Sequence, residues 1–173
     1  MIHCSFFCLP DHFHRKRPFL LTVFFLLGHL LGVWISGHAS DFLLSAMRTV
    51  VSSRVSIMGL LSTLALPFLV SAFAVYLGQP ILLFPIAFWK AFLFSYTACT
   101  FLAAWGSAGW LVTPLVMCGS VCSMPVLCWY WLRHVEGERF RWSTFSFALA
   151  VLAIIGIMDL FVIEPFLARI ITF

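Results

Sequence analysis

A chain of 173 residues, 63% hydrophobic and 9% charged, with a mean hydropathy of +1.09, lacks the polar side chains needed to cover a water-soluble globule. That composition leaves an integral membrane protein, and the length leaves one helical bundle without a separate soluble domain of ordinary size. The net charge of +4 is small and builds no basic patch of the kind that holds nucleic acid.

Residues 1–17 read as a cytoplasmic head that ends in Arg15-Lys16-Arg17. His3, Cys4, Cys8, His12 and His14 are metal-ligating residue types, but their spacing matches no standard finger, and neither a metal site nor a cofactor is expected. Residues 18–35 form the first expected crossing, because ~20 apolar residues rising ~1.5 Å each span the ~30 Å hydrocarbon core. Pro18 suits its first turn. A signal peptide shares the basic head and apolar run, but the run here exceeds the usual ~7–15 residues, so a retained helix is expected. Gly28 and Gly32 make a G-x-x-x-G pair that permits close helix approach, and His29 beside them is expected to hydrogen-bond across helices.

Residues 41–53 keep a helical period, with Leu43, Leu44, Met47, Val50 and Val51 on one face, and read as an interfacial amphipathic helix capped by Ser40 or Asp41. Residues 55–77 are the second crossing, kinked at Pro67. Gly78-Gln79-Pro80 makes the tight return, and residues 80–105 are the third crossing. Residues 108–132 and 144–173 supply the fourth and fifth. Cys118 and Cys122 read as small buried apolar residues. The expected fold is an all-α polytopic bundle of five transmembrane helices and one interfacial helix.

Basic residues set the expected orientation. Arg15, Lys16, Arg17, Arg133, Arg139 and Arg141 fall on one side, and Arg48, Arg54 and Arg169 on the other, which puts the N-terminus in the cytoplasm and the C-terminus outside. Trp34, Trp105 and Trp110 then mark the outer boundary, and Tyr76, Trp129, Trp131 and Trp142 the inner one.

Two charges lie well inside the expected membrane core: Lys90 on the third crossing and Asp159 on the fifth. A charge at that depth costs roughly 2.5–3.5 kcal/mol on insertion scales, so each needs a partner inside the bundle. Either the two pair with each other, or Lys90 reaches water or a carbonyl freed by Pro67 or Pro85 while Asp159 meets Arg48 or Arg54.

The order of these features resembles the stage II sporulation protein M family. Gly78-Gln79-Pro80 followed by Lys90-Ala91-Phe92-Leu93-Phe94-Ser95-Tyr96-Thr97 is similar to its G-x-P turn and its K-G-F-x-x-G-F-T segment. The Gly28 and Gly32 spacing, and Met158-Asp159-Leu160-Phe161-Val162-Ile163-Glu164-Pro165 near the end, extend the likeness over most of the chain. Ala91 and Ser95 stand where that family prefers glycine, and Glu164 where it prefers serine. The resemblance implies a cell-membrane component of engulfment during sporulation. Its partners would be peptidoglycan hydrolases, stage II sporulation proteins D and P, held at the outer face, or other membrane proteins.

The residues themselves offer no chemistry: the sequence holds no phosphate-cradling glycine loop, no H-E-x-x-H and no G-x-S-x-G. The expected function is a nonenzymatic membrane scaffold, with Lys90, Asp159, Gly28, Gly32, Gly78 and Pro80 as its structural or partner-binding residues. A small transporter or permease subunit that uses Lys90 and Asp159 is the alternative, with Pro67, Pro80, Pro85, Pro114 and Pro125 breaking helices around a midplane site.

Overall fold

A computed structural model describes residues 16–45, 61–163 and 165, and these contain helices and turns but no strand. Most of the expected basic head and of the interfacial helix, the start of the second crossing and the end of the fifth lie outside the described residues. So do Arg48, Arg54 and Glu164.

Helix α1 (Arg17–Ser36) starts with Pro18 in its first turn, where a missing N–H costs nothing. A helical turn at 41–45 follows, and its entry is capped by Ser40, whose hydroxyl accepts from the Leu43 N–H at 3.4 Å. A π turn at Leu61–Ala65 leads into α2 (Leu66–Tyr76). Gly78, at φ 71, turns the chain in the left-handed region that a side chain disfavours, and Pro80 opens a 3₁₀ turn into α3 (Leu83–Trp105). Three further helices follow: α4 (Gly109–Val116), α5 (Cys118–Val135) and α6 (Trp142–Met158), the last running on into a π turn at Asp159–Ile163.

Among the described residues, three helical runs are long and apolar enough to cross a membrane: Arg17–Ser36, Pro80–Val116 and Trp142–Ile163, while Thr63–Tyr76 is a shorter apolar helix. The run Pro80–Val116 is not one rod. Gly106, at φ 56, reverses it, and a Cβ on Gly109 would stand 2.9 Å from the Leu102 Cα. Seven residues of straight helix would hold those positions ~10 Å apart, so α4 folds back along α3. The segment expected as a single helix at 108–132 is instead two helices, α4 and α5, broken at Met117 (φ −97, ψ 7) and extended to Val135. Pro114 removes a ladder donor just before the break, and Gly119 just after it weakens the helix further.

The helix directions follow from which residues meet. Gly28 lies against Phe88 and Ala91, and Gly32 against Phe92, Ser95 and Tyr96, so α1 and α3 run parallel. Trp129 faces Phe147 with ring centroids 5.9 Å apart, while Gly119 faces Asp159, so α5 and α6 run antiparallel. Leu21, Val75, Leu83 and Val135 belong to one buried cluster with Phe68, Leu127, Tyr130 and Trp131. The start of α1, the return at 77–82 and the loop at 136–141 therefore gather at one end of the bundle, which carries Lys16, Arg17, Arg133, Arg139 and Arg141.

Two sequence assignments change. Trp131 is not a boundary residue: it is 1% exposed, and its indole N–H donates to Ser71 Oγ at 2.8 Å, while Ser71 Oγ donates to the Pro67 carbonyl at 2.6 Å. An indole placed four residues before the end of α5, where three helices meet, is surrounded rather than at the rim. Cys122 is exposed and Cys118 half-buried, so neither is a core residue, although both are free thiols. Trp34, Trp110, Tyr76 and Trp142 are 66%, 74%, 65% and 69% exposed at the helix ends, in keeping with amphipathic boundary residues.

Candidate functional site

The interior polar site is built on α3, the helix that α1, α2, α4 and α5 all touch. Ala87, Ala91 and Ser95 recur every four residues and so line one stripe of it. This small-residue stripe receives the glycines of α1. A Cβ on Gly32 would lie 2.6 Å from the Phe92 carbonyl oxygen and 3.1 Å from the Ser95 Cβ, and one on Gly28 would lie 3.1 Å from the Ala91 Cβ. Only glycine lets the backbones approach this closely, as expected of a G-x-x-x-G helix face. Ala91 and Ser95 occupy the other side of the same contact.

His29, next to Gly28, makes the interhelical bond expected of it. Its Nδ1 shares a hydrogen bond with Ser95 Oγ, and the ring stands edge-on to Phe25 and Phe94, with centroids 4.6 and 5.9 Å away. Ser95 thus joins α3 to α1 both by its small size and by its hydroxyl. Sequence alone marks it as a small residue, and its pairing with His29 depends on the parallel register of the two helices.

Lys90 points away from that stripe. It is 6% exposed, and its ammonium donates to the Thr63 carbonyl oxygen at 2.7 Å and to Ser120 Oγ at 3.5 Å. Thr63 lies four residues before Pro67, whose ring nitrogen carries no hydrogen and cannot make the helical bond to that carbonyl. The local backbone widens there into the π turn at Leu61–Ala65. Of the partners open to Lys90 in the sequence, it takes a backbone carbonyl, that of Thr63 four residues before Pro67, while Arg48 and Arg54, the other partners considered for Asp159, lie outside the described residues. Charge-assisted bonds of this kind contribute about 1.5–3 kcal/mol each.

Asp159 approaches α5 one residue away, its Oδ2 lying 2.5 Å from where a Cβ on Gly119 would be. Gly119 is therefore a place where a carboxylate sits against backbone. Among the described residues the ion pair within bonding distance is Arg133–Glu138, at 2.6 Å in the loop after α5, and not Lys90–Asp159. Lys90 and Asp159 meet neighbouring residues of one helix from different neighbours, α3 and the turn after α6. Gly78 and Pro80, by contrast, lie at the arginine-rich end and form the return between α2 and α3.

No group of three or more metal-ligating side chains gathers among the described residues. No family model, curated protein or solved structure matches the chain. The class that the fold defines is an all-helical protein with, among the described residues, three helices long and apolar enough to cross a membrane.

Proposed function

We propose that the chain is a nonenzymatic scaffold of the cell membrane, crossing it five times, with α4 and α5 together making the fourth crossing and α2, with the segment before it, the second. The arginine-rich end is cytoplasmic on this reading, because short loops rich in Arg and Lys are retained on that side. The observation that carries the proposal is the setting of Lys90. Its charge is spent on the Thr63 carbonyl and the Ser120 hydroxyl, joining α3 to the π turn before α2 and to α5. A cation used in this way holds helices together and is poorly placed to release a substrate.

The narrower role, anchoring peptidoglycan hydrolases at the outer face during engulfment, rests only on the resemblance in the order of motifs to the stage II sporulation protein M family. A transporter is the second reading. It is favoured by the approach of Lys90 and Asp159 to the adjacent residues Ser120 and Gly119.

Purification of intact complexes from native membranes, together with flux measurements on the purified chain in liposomes, separates the two. The scaffold reading expects a cell-wall hydrolase to co-purify and the liposomes to remain tight. A solute or ion flux that Lys90→Met abolishes would establish the transporter and overturn the scaffold.

A further inference from the structure

The arginine-rich end holds a cleft of about 490 Å³ between the α2–α3 return and the α5–α6 loop. Gly78 and Pro80 line it on one side, His134, Glu138, Arg139 and Phe140 on the other, and Tyr76 at the edge. Its charge is unbalanced. Glu138 is engaged by Arg133, whose Nε donates to Oε2 at 2.6 Å, while Arg139 is exposed and makes no ion pair among the described residues. Arg141 lies within electrostatic reach of the same Glu138.

The loop that presents Arg139 is fixed from below. Gly137, at φ 104, allows the turn, and buried His134, 2% exposed, bonds through Nδ1 to the Glu138 carbonyl oxygen at 2.9 Å. Beneath the cleft, His134 Nε2 and the Tyr130 hydroxyl have no hydrogen-bond partner among the described residues. The recess thus holds one carboxylate, which Arg133 neutralises from outside the lining, and leaves the Arg139 guanidinium unmatched, flanked by exposed Tyr76 and Trp142, residue types that settle at the headgroup level of a bilayer.

We infer that this cleft binds the phosphate of an anionic phospholipid headgroup, with Arg139 as its charged contact. Guanidinium suits phosphate oxygens because its planar N–H groups can donate to two of them at once. The lipid is chosen over a soluble phosphate because the cleft opens where apolar helices end, so an acyl chain can lie along α2 while the headgroup enters. The inference rests on the membrane reading of the fold and not on the scaffold role.

Native mass spectrometry of the full detergent-solubilised chain, titrated with phosphatidylglycerol and with phosphatidylcholine, provides the test. Generic attraction to an anionic surface is worth about 1 kcal/mol per basic residue, or roughly fivefold. Lys16→Gln, which alters the same end away from the cleft, is expected to weaken phosphatidylglycerol binding by no more than that. Arg139→Gln is expected to weaken it at least tenfold while leaving phosphatidylcholine binding and thermal stability unchanged. Equal losses in the two variants, or no loss in Arg139→Gln, would overturn the site. Displacement of phosphatidylglycerol by excess inorganic phosphate, with matching thermal stabilisation, would overturn the choice of lipid.

Discussion

Thr63, Pro67 and Lys90 act as one unit although they lie on separate turns and helices. Proline withholds a donor from the Thr63 carbonyl, and lysine supplies one from a neighbouring helix at 2.7 Å. Lys90→Met removes that donor and is expected to lower stability by about 1–3 kcal/mol. Pro67→Ala adds a backbone donor four residues from the same carbonyl, so the two changes are expected to be non-additive, which thermal unfolding of the four proteins in a mutant cycle would reveal. Additive losses would separate the two residues. Exchanging charges, with Lys90→Asp and Asp159→Lys together, is expected to be no better than the sum of the single changes, since Lys90 takes Thr63 and Ser120. The sequence exposes this chemistry only in part. A lysine inside an apolar run announces a need for partners, and a proline announces a spare carbonyl, but which carbonyl the lysine reaches depends on how α2 packs against α3.

Outside the apolar helices, Glu138 provides a residue-level prediction with a definite sign. The hydrogen bond from Arg133, aided by the charges of Arg133, Arg141 and His134, holds its carboxyl below the ordinary value of 4.5. A lowered folded-state value means that the group stabilises the loop above its unfolded-state value and loses that contribution as pH falls through the folded one. Arg133→Ala is expected to move the Glu138 titration back up toward 4.5, followed by carboxyl-carbon NMR. An unmoved titration would show that the ion pair does not set it.

Between elements, the contact of α1 with α3 brings two glycines, Gly28 and Gly32, against the backbone of the facing helix. It joins the glycines of one helix to the backbone and small side chains of the other. A methyl group at Gly32 would fall 2.6 Å from the Phe92 carbonyl oxygen and 3.0 Å from the Tyr96 nitrogen, and neither is free to swing aside. Gly32→Ala is therefore expected to cost about 1–3 kcal/mol as overpacking, and Gly32→Leu more, by thermal unfolding in detergent. Stability equal to the parent in both would mean that the helices do not pack this closely. The G-x-x-x-G spacing made this face legible in the sequence, since small residues four apart have few other uses in a long apolar helix. The break at Met117 was not legible, because Pro114 and Pro125 both permit a kink and neither dictates where the chain yields. Trp131 misled for a related reason. Tryptophan near a helix end is commonly a boundary residue, and only the proximity of Ser71, 60 residues earlier, gives its indole N–H a buried partner.

For the whole molecule, composition and apolar run length made the all-helical architecture readable, and Gly78-Gln79-Pro80 marked one return, while the reversal at Gly106 comes from the structure. Gly78 and Gly106 both take positive φ at those returns, at 71 and 56. The gathering of Lys16, Arg17, Arg133, Arg139 and Arg141 at one end could be counted from alternate loops, but it becomes a geometric fact only once Leu21, Val75 and Val135 share a core cluster. The packed directions of α1, α3, α5 and α6 are compatible with the five crossings proposed above. Cysteine accessibility in intact cells, measured on single-cysteine variants of a cysteine-free chain, tests that arrangement most directly. Gly37→Cys and Ser107→Cys are expected to react with an impermeant reagent from outside, and Lys16→Cys and Gly137→Cys only after the membrane is opened. Reaction of Ser107→Cys and Gly137→Cys from the same side would mean that α4 and α5 do not cross, and would contradict the account.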